Sequence, residues 1–368
     1  MNYSLDSTYL AAKECIAHGI PFALCFKPGV SIDQKPEFYV ENPNVGLGYK
    51  ELNSLDFESF NGFVVSPFDI NTHQKILGIK DEISSKDILR YFAETPAYRK
   101  YNNFHFKYNS TTEYDHKHAV EQVSRSFKSD SEKTVLSRIL VNKFAVHPVD
   151  VAYKYFQKHP SCFRYILSLP NYGIWFGATP ELLLEYNRND YELATMSLAG
   201  TRSVSDLGAW DRKNTLEHNI VTNYICNILS NHGLSVDEPM QSGVKFNNIE
   251  HLCHLIKAHG FVQVASLLAD LSPTPAVCGW PKEEAFNQII NAEKHSRLLY
   301  GGYVGTTSTD YTHLFVNLRC AFADLQDDNS AIYTLFAGGG ITSHSDPYIE
   351  WKETELKLES LYYILRNL

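Results

Sequence analysis

The chain has 368 residues, 44% of them hydrophobic and 20% charged, so it can bury a large core, and its formal net charge is -9. A surface of that sign, with no Lys/Arg run longer than a pair, excludes a broad nucleic-acid-binding face. Any anionic ligand must therefore be held locally, by specific cations and amides inside a pocket. No apolar run approaches the length of a membrane span, and Met1-Asn2-Tyr3-Ser4-Leu5-Asp6 lacks a basic region followed by an apolar stretch, so a soluble, cytoplasmic chain with no membrane partner is expected. Cys15, Cys25, Cys162, Cys226, Cys253, Cys278 and Cys320 are odd in number, scattered and mostly flanked by apolar residues, which fits buried free thiols in a reducing compartment.

Along the chain, residues 7–17 carry a helical pattern, and the apolar runs 22–26 and 62–65 read as strands between polar turns. Residues 134–144 and 162–169 are expected as strands, with a short helix over 149–157 between them. Residues 175–185 and 191–198 read as strands joined by a hairpin-type turn, Asn187-Arg188-Asn189-Asp190. Residues 211–230 form a long amphipathic helix with Leu216, Ile220, Tyr224 and Ile228 on its packing face, Glu217 beside that face, and Gly233 soon after its end. Further helices are expected over 282–298 and 347–365, and 312–325 with 331–337 form a hairpin across Gln326-Asp327-Asp328-Asn329. The fold class is mixed α+β. No Pro/Gly/Ser-rich linker, low-complexity tract or repeat divides the chain, which is read as one domain over 1–368.

Three features bear on chemistry. Gly338-Gly339-Gly340, read as a turn, precedes a helix in which Glu350 and Glu353 stand three residues apart on one face. Paired carboxylates suit a hard divalent cation, and a glycine turn suits backbone amides facing an anion. Taken alone, however, Glu350, Glu353 and Lys357 are more simply a solvated helix face with an i,i+4 ion pair. Arg319 lies mid-strand among apolar neighbours, where an inward guanidinium needs an anionic partner. His251-Leu252-Cys253-His254 is the one Cys/His cluster; without a second ligand pair at zinc-finger spacing it is read as structural, and no metal is assigned to it.

Further segments follow in a fixed order: Lys133-Thr134-Val135-Leu136-Ser137-Arg138, Phe176-Gly177-Ala178-Thr179-Pro180-Glu181, Leu198-Ala199-Gly200-Thr201-Arg202 and Leu216-Glu217-His218. Pro273-Thr274-Pro275-Ala276-Val277-Cys278-Gly279 comes next, then Glu293, Arg297, Tyr300 and Gly301-Gly302, and then Val316-Asn317-Leu318-Arg319-Cys320-Ala321. In order and spacing these segments resemble the chorismate-utilising enzymes, the family of anthranilate, aminodeoxychorismate, isochorismate and salicylate synthases. The resemblance covers residues 115–368, leaves 1–114 as an N-terminal portion of the same fold, and is nearest to the isochorismate-forming branch.

The resemblance implies two antiparallel sheets packed face to face, helices outside, and a site in a cleft between the halves. It implies an isomerase that converts chorismate to isochorismate with Mg²⁺, feeding menaquinone or catechol siderophore synthesis; salicylate synthase and a non-catalytic chorismate-binding paralogue stay open as alternatives. Water adding at C2 while the C4 hydroxyl leaves needs a base and an acid, roles the family match gives to Lys133 and Glu181. Burial at the head of an apolar strand favours a basic amine at Lys133, and the apolar Leu182-Leu183-Leu184 run favours a protonated Glu181. By the same match Glu217 and Glu353 bind Mg²⁺ directly and Glu350 through water. Arg319, Tyr300, Thr274, Gly200, Thr201 and the amides of Gly338, Gly339 and Gly340 hold the substrate, while for Gly301 and Gly302 a structural turn serves equally well. Asn214 stands where the family usually has an acid, and Ser272 where isochorismate synthases often have His. The Pro-Thr-Pro-Ala form departs from the aminating branch and no glutamine-hydrolysing domain is fused, so no amidotransferase partner is expected.

Overall fold

The computed structural model describes residues 3–41, 49–68, 76–80, 84–94, 107–169, 171–205, 208–246, 249–326 and 330–368. Two sheets organise them, and every strand pairing is antiparallel. The first runs, edge to edge, Gly279–Trp280, Lys133–Phe144, Ala331–Ile341, Cys320–Leu325, Gly173–Thr179, Phe163–Leu169, Phe22–Phe26, Glu37–Val40. The second runs Ser235–Val236, Ile249–His259, Glu192–Ser203, Leu182–Asn187, Tyr311–Val316, Tyr303–Thr307, Gly62–Ser66, Ile76–Ile79, Tyr49–Leu52, with Met240–Phe246 also on Ile249–His259.

The sheets face each other across an aromatic core that takes Tyr165, Trp175 and Phe336 from the first and Phe63 and Phe315 from the second. Outer faces are covered by helices. Pro347–Arg366 lays Leu358, Leu361, Ile364 and Leu365 on the first sheet, each burial contributing about 2 kcal/mol. Arg212–Asn231 lays Val221, Tyr224, Ile225 and Leu229 on the second. All seven cysteines are free and six are buried. Among the described residues no helix is long and apolar enough to cross a membrane.

Several expected elements are redrawn. Residues 175–185 are two strands, because Pro180 has no amide to donate to a ladder; the chain leaves the first sheet after Thr179 and joins the second at Leu182. Residues 312–325 divide the same way, crossing back over Asn317, Leu318 and Arg319, the last held at φ 50°, a left-handed conformation costing a side-chain-bearing residue about 1–2 kcal/mol. Gly338, Gly339 and Gly340 are not a turn: the strand continues through them to Ile341. The buried face of Arg212–Asn231 is turned from the expected one, carrying Asn214, Glu217, His218, Val221 and Ile225, while Leu216, Ile220 and Ile228 are only half-buried. Polar side chains that face a site are invisible to an apolar-stripe reading. The helix expected over 282–298 ends at Ala292. Of the turn Gln326-Asp327-Asp328-Asn329, the last three lie outside the described residues, but Gln326 N donates to Ser330 O across it.

The two sheet crossings are tied to each other. Val316 N donates to Glu181 O (3.0 Å), Ala178 N to Arg319 O (3.3 Å), and Thr179 Oγ1 to Val316 O (2.7 Å). Asn317, fully buried, accepts from Tyr165 Oη (2.5 Å) and donates through Nδ2 to Leu299 O (2.8 Å). Asn317→Leu strips the buried Tyr165 hydroxyl of its amide acceptor, at about 1–3 kcal/mol, while Leu299 O keeps the Gly302 amide as a donor. Urea unfolding should therefore show a loss on the order of 1–3 kcal/mol at unchanged m. A loss under about 1 kcal/mol would show that this side chain does not tie the crossing.

Candidate active site

Both crossings open into one cleft of about 650 Å³, mouth included, whose walls include Glu181, Gly200, Thr201, Glu217, His251, Tyr300, Arg319, Gly338, Gly340 and Lys357. The glycines are there for room. A Cβ on Gly340 would stand 2.1 Å from Glu217 Oε1 and 2.9 Å from Lys133 Cε, and one on Gly338 would stand 2.7 Å from Tyr300 Oη. Their backbone matters too. The strand Cys320–Leu325 pairs with Ala331–Ile341 only as far as Ala321 with Leu335, so the glycines keep one unpaired edge among the described residues. Ser137 N, opposite Gly338, donates outward to Glu293 Oε1 (2.6 Å), and Val135 N, opposite Gly340, donates outward to Cys278 O (2.8 Å). By the alternation of an antiparallel ladder, Gly338 and Gly340 then turn their N–H groups to the open edge, and Gly339 faces Leu136. Two amides of the three thus reach the cleft.

Glu181 is 2% exposed, and burial raises its carboxyl to about 8 against the opposing pull of Lys133, Lys357 and Arg319. It is therefore a neutral acid at pH 7. Lys133 has no exposed surface; its Nζ lies 3.0 Å from Glu217 Oε1, an ion pair whose angles do not make a hydrogen bond. Burial opposes the charge on Glu353, but Lys357 and Lys213 hold its carboxyl down at about 2, and Lys357 Nζ spans Glu353 Oε1 (2.6 Å) and Gly338 O (2.8 Å). Glu350 is pushed up by burial, with Lys213 opposing and Glu353 adding to the shift. Its Oε1 accepts from Lys213 Nζ (2.7 Å), whereas its buried Oε2 makes no well-formed hydrogen bond, with only a weak pull from Ser345. The Glu353–Lys357 pair expected on a solvated face does form, but it is half-buried.

Arg319 Nη2 donates to His251 Nε2 (2.9 Å), and the other ring nitrogen of His251 lies 3.2 Å from Gly200 O and 3.1 Å from Thr201 Oγ1. Burial, helped by Arg319 and Lys357, lowers His251 to about 3. It is therefore neutral, with Nδ1 protonated toward Gly200 and Nε2 left to accept from the guanidinium. Gly200 sits at φ 80° in a bulge whose next amide, Thr201 N, is accepted by Asn214 Oδ1 (2.9 Å). Asn214 therefore caps the bulge, a bond that an Asp carboxylate would also accept.

The structure thus lines one cleft with Glu181, Gly200, Thr201, Glu217, Tyr300, Arg319, Gly338 and Gly340, while Lys133 reaches it through its ion pair with Glu217, Glu353 through its pair with the lining Lys357, and Glu350 stands outside the lining, bound to Lys213. Thr274 is not among the lining residues; its hydroxyl is buried with no hydrogen-bond partner among the described residues, while Ala276 and Val277 of the same loop form the wall. Ser272 closes the helix Val264–Leu271, its carbonyl accepting from Lys282 Nζ (2.9 Å). His251, read from its motif as structural, is a cleft residue; Cys253, two residues on and on the same strand face, is not among the lining residues. His254 pairs instead with His218 (2.7 Å) behind Glu217. Lys213 had no signal in the motif pattern, since its role exists only once two distant helices meet.

No three His, Cys, Asp or Glu side chains among the described residues close around a common point as ligands of an ion would. The donor set nonetheless fits a hard cation, with oxygen donors throughout, an unspent Oε2 on Glu350, and an adjoining cleft with room for substrate oxygens. Each of the three carboxylates is now answered by an ammonium, so the cation must enter by exchange.

The family model described as "Chorismate binding enzyme" matches residues 61–366. Isochorismate synthase MenF of Pasteurella multocida (strain Pm70) is 31% identical over 219 residues, 56% of this chain and 50% of the relative. Isochorismate synthase EntC of Escherichia coli (strain K12) is 30% identical over 249 residues, 62% of this chain and 61% of the relative. The chain thus spans about half to three-fifths of the length of these relatives. Among solved structures, the menaquinone-specific isochorismate synthase MenF of Escherichia coli aligns with TM-score 0.73 at 19% identity, over 98% of this chain and 91% of that one. Anthranilate synthase component I of Streptococcus pneumoniae TIGR4 aligns with TM-score 0.64 at 19% identity, over 94% and 91%. At those identities the likeness establishes the fold.

The raised carboxyl of Glu181 has a measurable consequence for stability. Between its ordinary value of 4.5 and about 8, the folded protein holds a proton here that the unfolded chain has released, so this group makes stability fall as pH rises through that window and level off above it. Glu181→Gln removes that contribution. Its stability relative to wild type, from urea midpoints, should climb across the same window; a difference independent of pH would show that Glu181 is ionised at pH 7.

Proposed function

The chain belongs to the chorismate binding enzyme family, and on that premise we propose that it is an isochorismate synthase, converting chorismate to isochorismate with Mg²⁺. The observation that carries this reading is the neutral carboxyl of Glu181 lining the cleft within electrostatic reach of the buried Lys133 amine. A hydroxyl transposition on a ring needs one group that takes a proton and another that gives one. Lys133, in its free-amine form, takes a proton from water as the water oxygen bonds to C2, both ring double bonds move over by one bond, and the C4 hydroxyl departs with the proton of Glu181 as water. Atoms balance, because one water enters and one leaves.

Chorismate is a dianion, and the cleft offers it Arg319, Lys357, the Tyr300 hydroxyl and the Gly338 and Gly340 amides. His251 fixes the guanidinium of Arg319 without adding charge. Glu217, Glu353 and, through water, Glu350 would hold Mg²⁺, which when bound neutralises a substrate carboxylate and fixes the ring's orientation. The reacting groups are the protein's own. The product suits either outlet implied by the resemblance, menaquinone or a catechol siderophore. An assembly with a glutamine-hydrolysing partner forms no part of the proposal.

Incubating the protein with chorismate and Mg²⁺ and separating the products should yield isochorismate, with turnover lost on chelation and regained with added Mg²⁺. Lys133→Ala should lower kcat by about 100-fold or more at an unchanged circular dichroism spectrum. Salicylate and pyruvate in place of isochorismate would make the protein a salicylate synthase. Binding without turnover by the wild-type protein would make it a non-catalytic chorismate-binding paralogue.

A further inference from the structure

Three ammonium groups answer the three carboxylates, but they are not equivalent. Lys133 is wholly buried on its strand. Lys357 is tethered twice, to Glu353 and to the carbonyl of Gly338. Lys213 rises from the first turn of the helix Arg212–Asn231, next to the exposed Asp211 and Arg212, and its one hydrogen bond among the described residues is to Glu350 Oε1 at 2.7 Å. Its side chain keeps 18% of its surface exposed, so it has an outward path. Burial would strip its charge, yet Glu350, Glu217 and Glu353 together outweigh burial and hold it firmly protonated. Lys213 thus feels all three acids, which come from two helices, and it rises from a point on its own helix one turn before Glu217.

We infer that Lys213 is a tethered stand-in for the divalent cation: it holds the acid cluster together while the metal is absent and must swing off Glu350 when the metal enters. This rests on the metal-binding reading of Glu217, Glu350 and Glu353. Two physical consequences follow. Without an ammonium at this position, the buried Glu350 and the half-buried Glu353 would stand a helical turn apart with one lysine between them, so the metal-free site would be strained toward any cation on offer. With it, a dication has to displace a charge already in place, so Lys213 sets the metal requirement by competition. Lys213 is a positioning residue in this scheme, because it acts on the carboxylates and not on the substrate.

The test uses Mn²⁺ as probe and substrate-free, full-length protein, with binding followed by calorimetry or by the spin-resonance signal of free Mn²⁺. Lys213→Gln should bind Mn²⁺ at least about tenfold more tightly than wild type, the scale on which groups just outside the ligands act, and Lys213→Arg should stay close to wild type. A second measurement needs no variant. The wild-type protein is pulsed with an amine-acetylating reagent and the Lys213 peptide is quantified by mass spectrometry, with its acetylation rate expected to rise severalfold when Mn²⁺ is added. Lys213→Gln binding Mn²⁺ as wild type does, or more weakly, would overturn the inference, as would Lys213 labelling that Mn²⁺ leaves unchanged. A wild-type protein that takes up no Mn²⁺ or Mg²⁺ would instead defeat the metal-binding reading beneath it.

Discussion

The site depends on a single backbone constraint, the side-by-side passage of two chain segments from one sheet to the other. At one passage Pro180 ends a ladder and Glu181 is left facing the gap; at the other, Asn317 is pinned by Tyr165 and Leu299 while Arg319 takes up a left-handed backbone. Hydrogen bonds between the passages mean that neither can move alone. Because the strand Cys320–Leu325 begins only after its crossing, the neighbouring strand is left unpaired along Gly338 to Gly340, and that vacant edge becomes a wall of the cleft. An acid, a guanidinium and two free amides are thus delivered to one place by one architectural decision.

Electrostatics then decides what the cleft can accept. Charges taken out of water are tolerable only when answered, and here they are answered pair by pair: Lys133 with Glu217, Lys213 with Glu350, Lys357 with Glu353. Burial outweighs the nearby cations at Glu181, which remains neutral at pH 7, and also at Glu350, where the shift is smaller and Lys213 opposes it directly. Arg319 donates to the neutral acceptor of His251, a partner that brings no charge of its own. A protein with a formal net charge of -9 can therefore present local cations to an anionic ligand, since the sign of the whole surface does not set the sign of a pocket.

Much of this was legible in the residues. The α+β class, the helix carrying Glu350 and Glu353, and the strand headed by Lys133 follow from periodicity, and the ordered motifs name the residues that the fold brings together. What escaped did so for physical reasons. Three consecutive glycines look like a turn, but here they mark the want of space beside Glu217, Lys133 and Tyr300, which only a neighbouring element can impose. The two crossings look like unbroken strands because both sides of each crossing are equally apolar. The packing face of Arg212–Asn231 was displaced because Glu217 and His218 are buried for their chemistry, and an apolar count overlooks them. Lys213 and His251 gain meaning only from partners 137 and 68 residues away.

At the centre of the account is charge balance: a cleft whose three paired carboxylates are each already answered by a lysine should take a dianion and a dication together far better than either alone. Calorimetric titration of chorismate into Lys133→Ala, which removes the base and so allows binding to be followed without turnover, should be made with and without Mg²⁺. Chorismate affinity is expected to rise at least about tenfold when Mg²⁺ is present, and Mg²⁺ affinity to rise by the same factor when chorismate is present, as reciprocal coupling requires. Chorismate binding that is equally tight with and without Mg²⁺ would contradict the account.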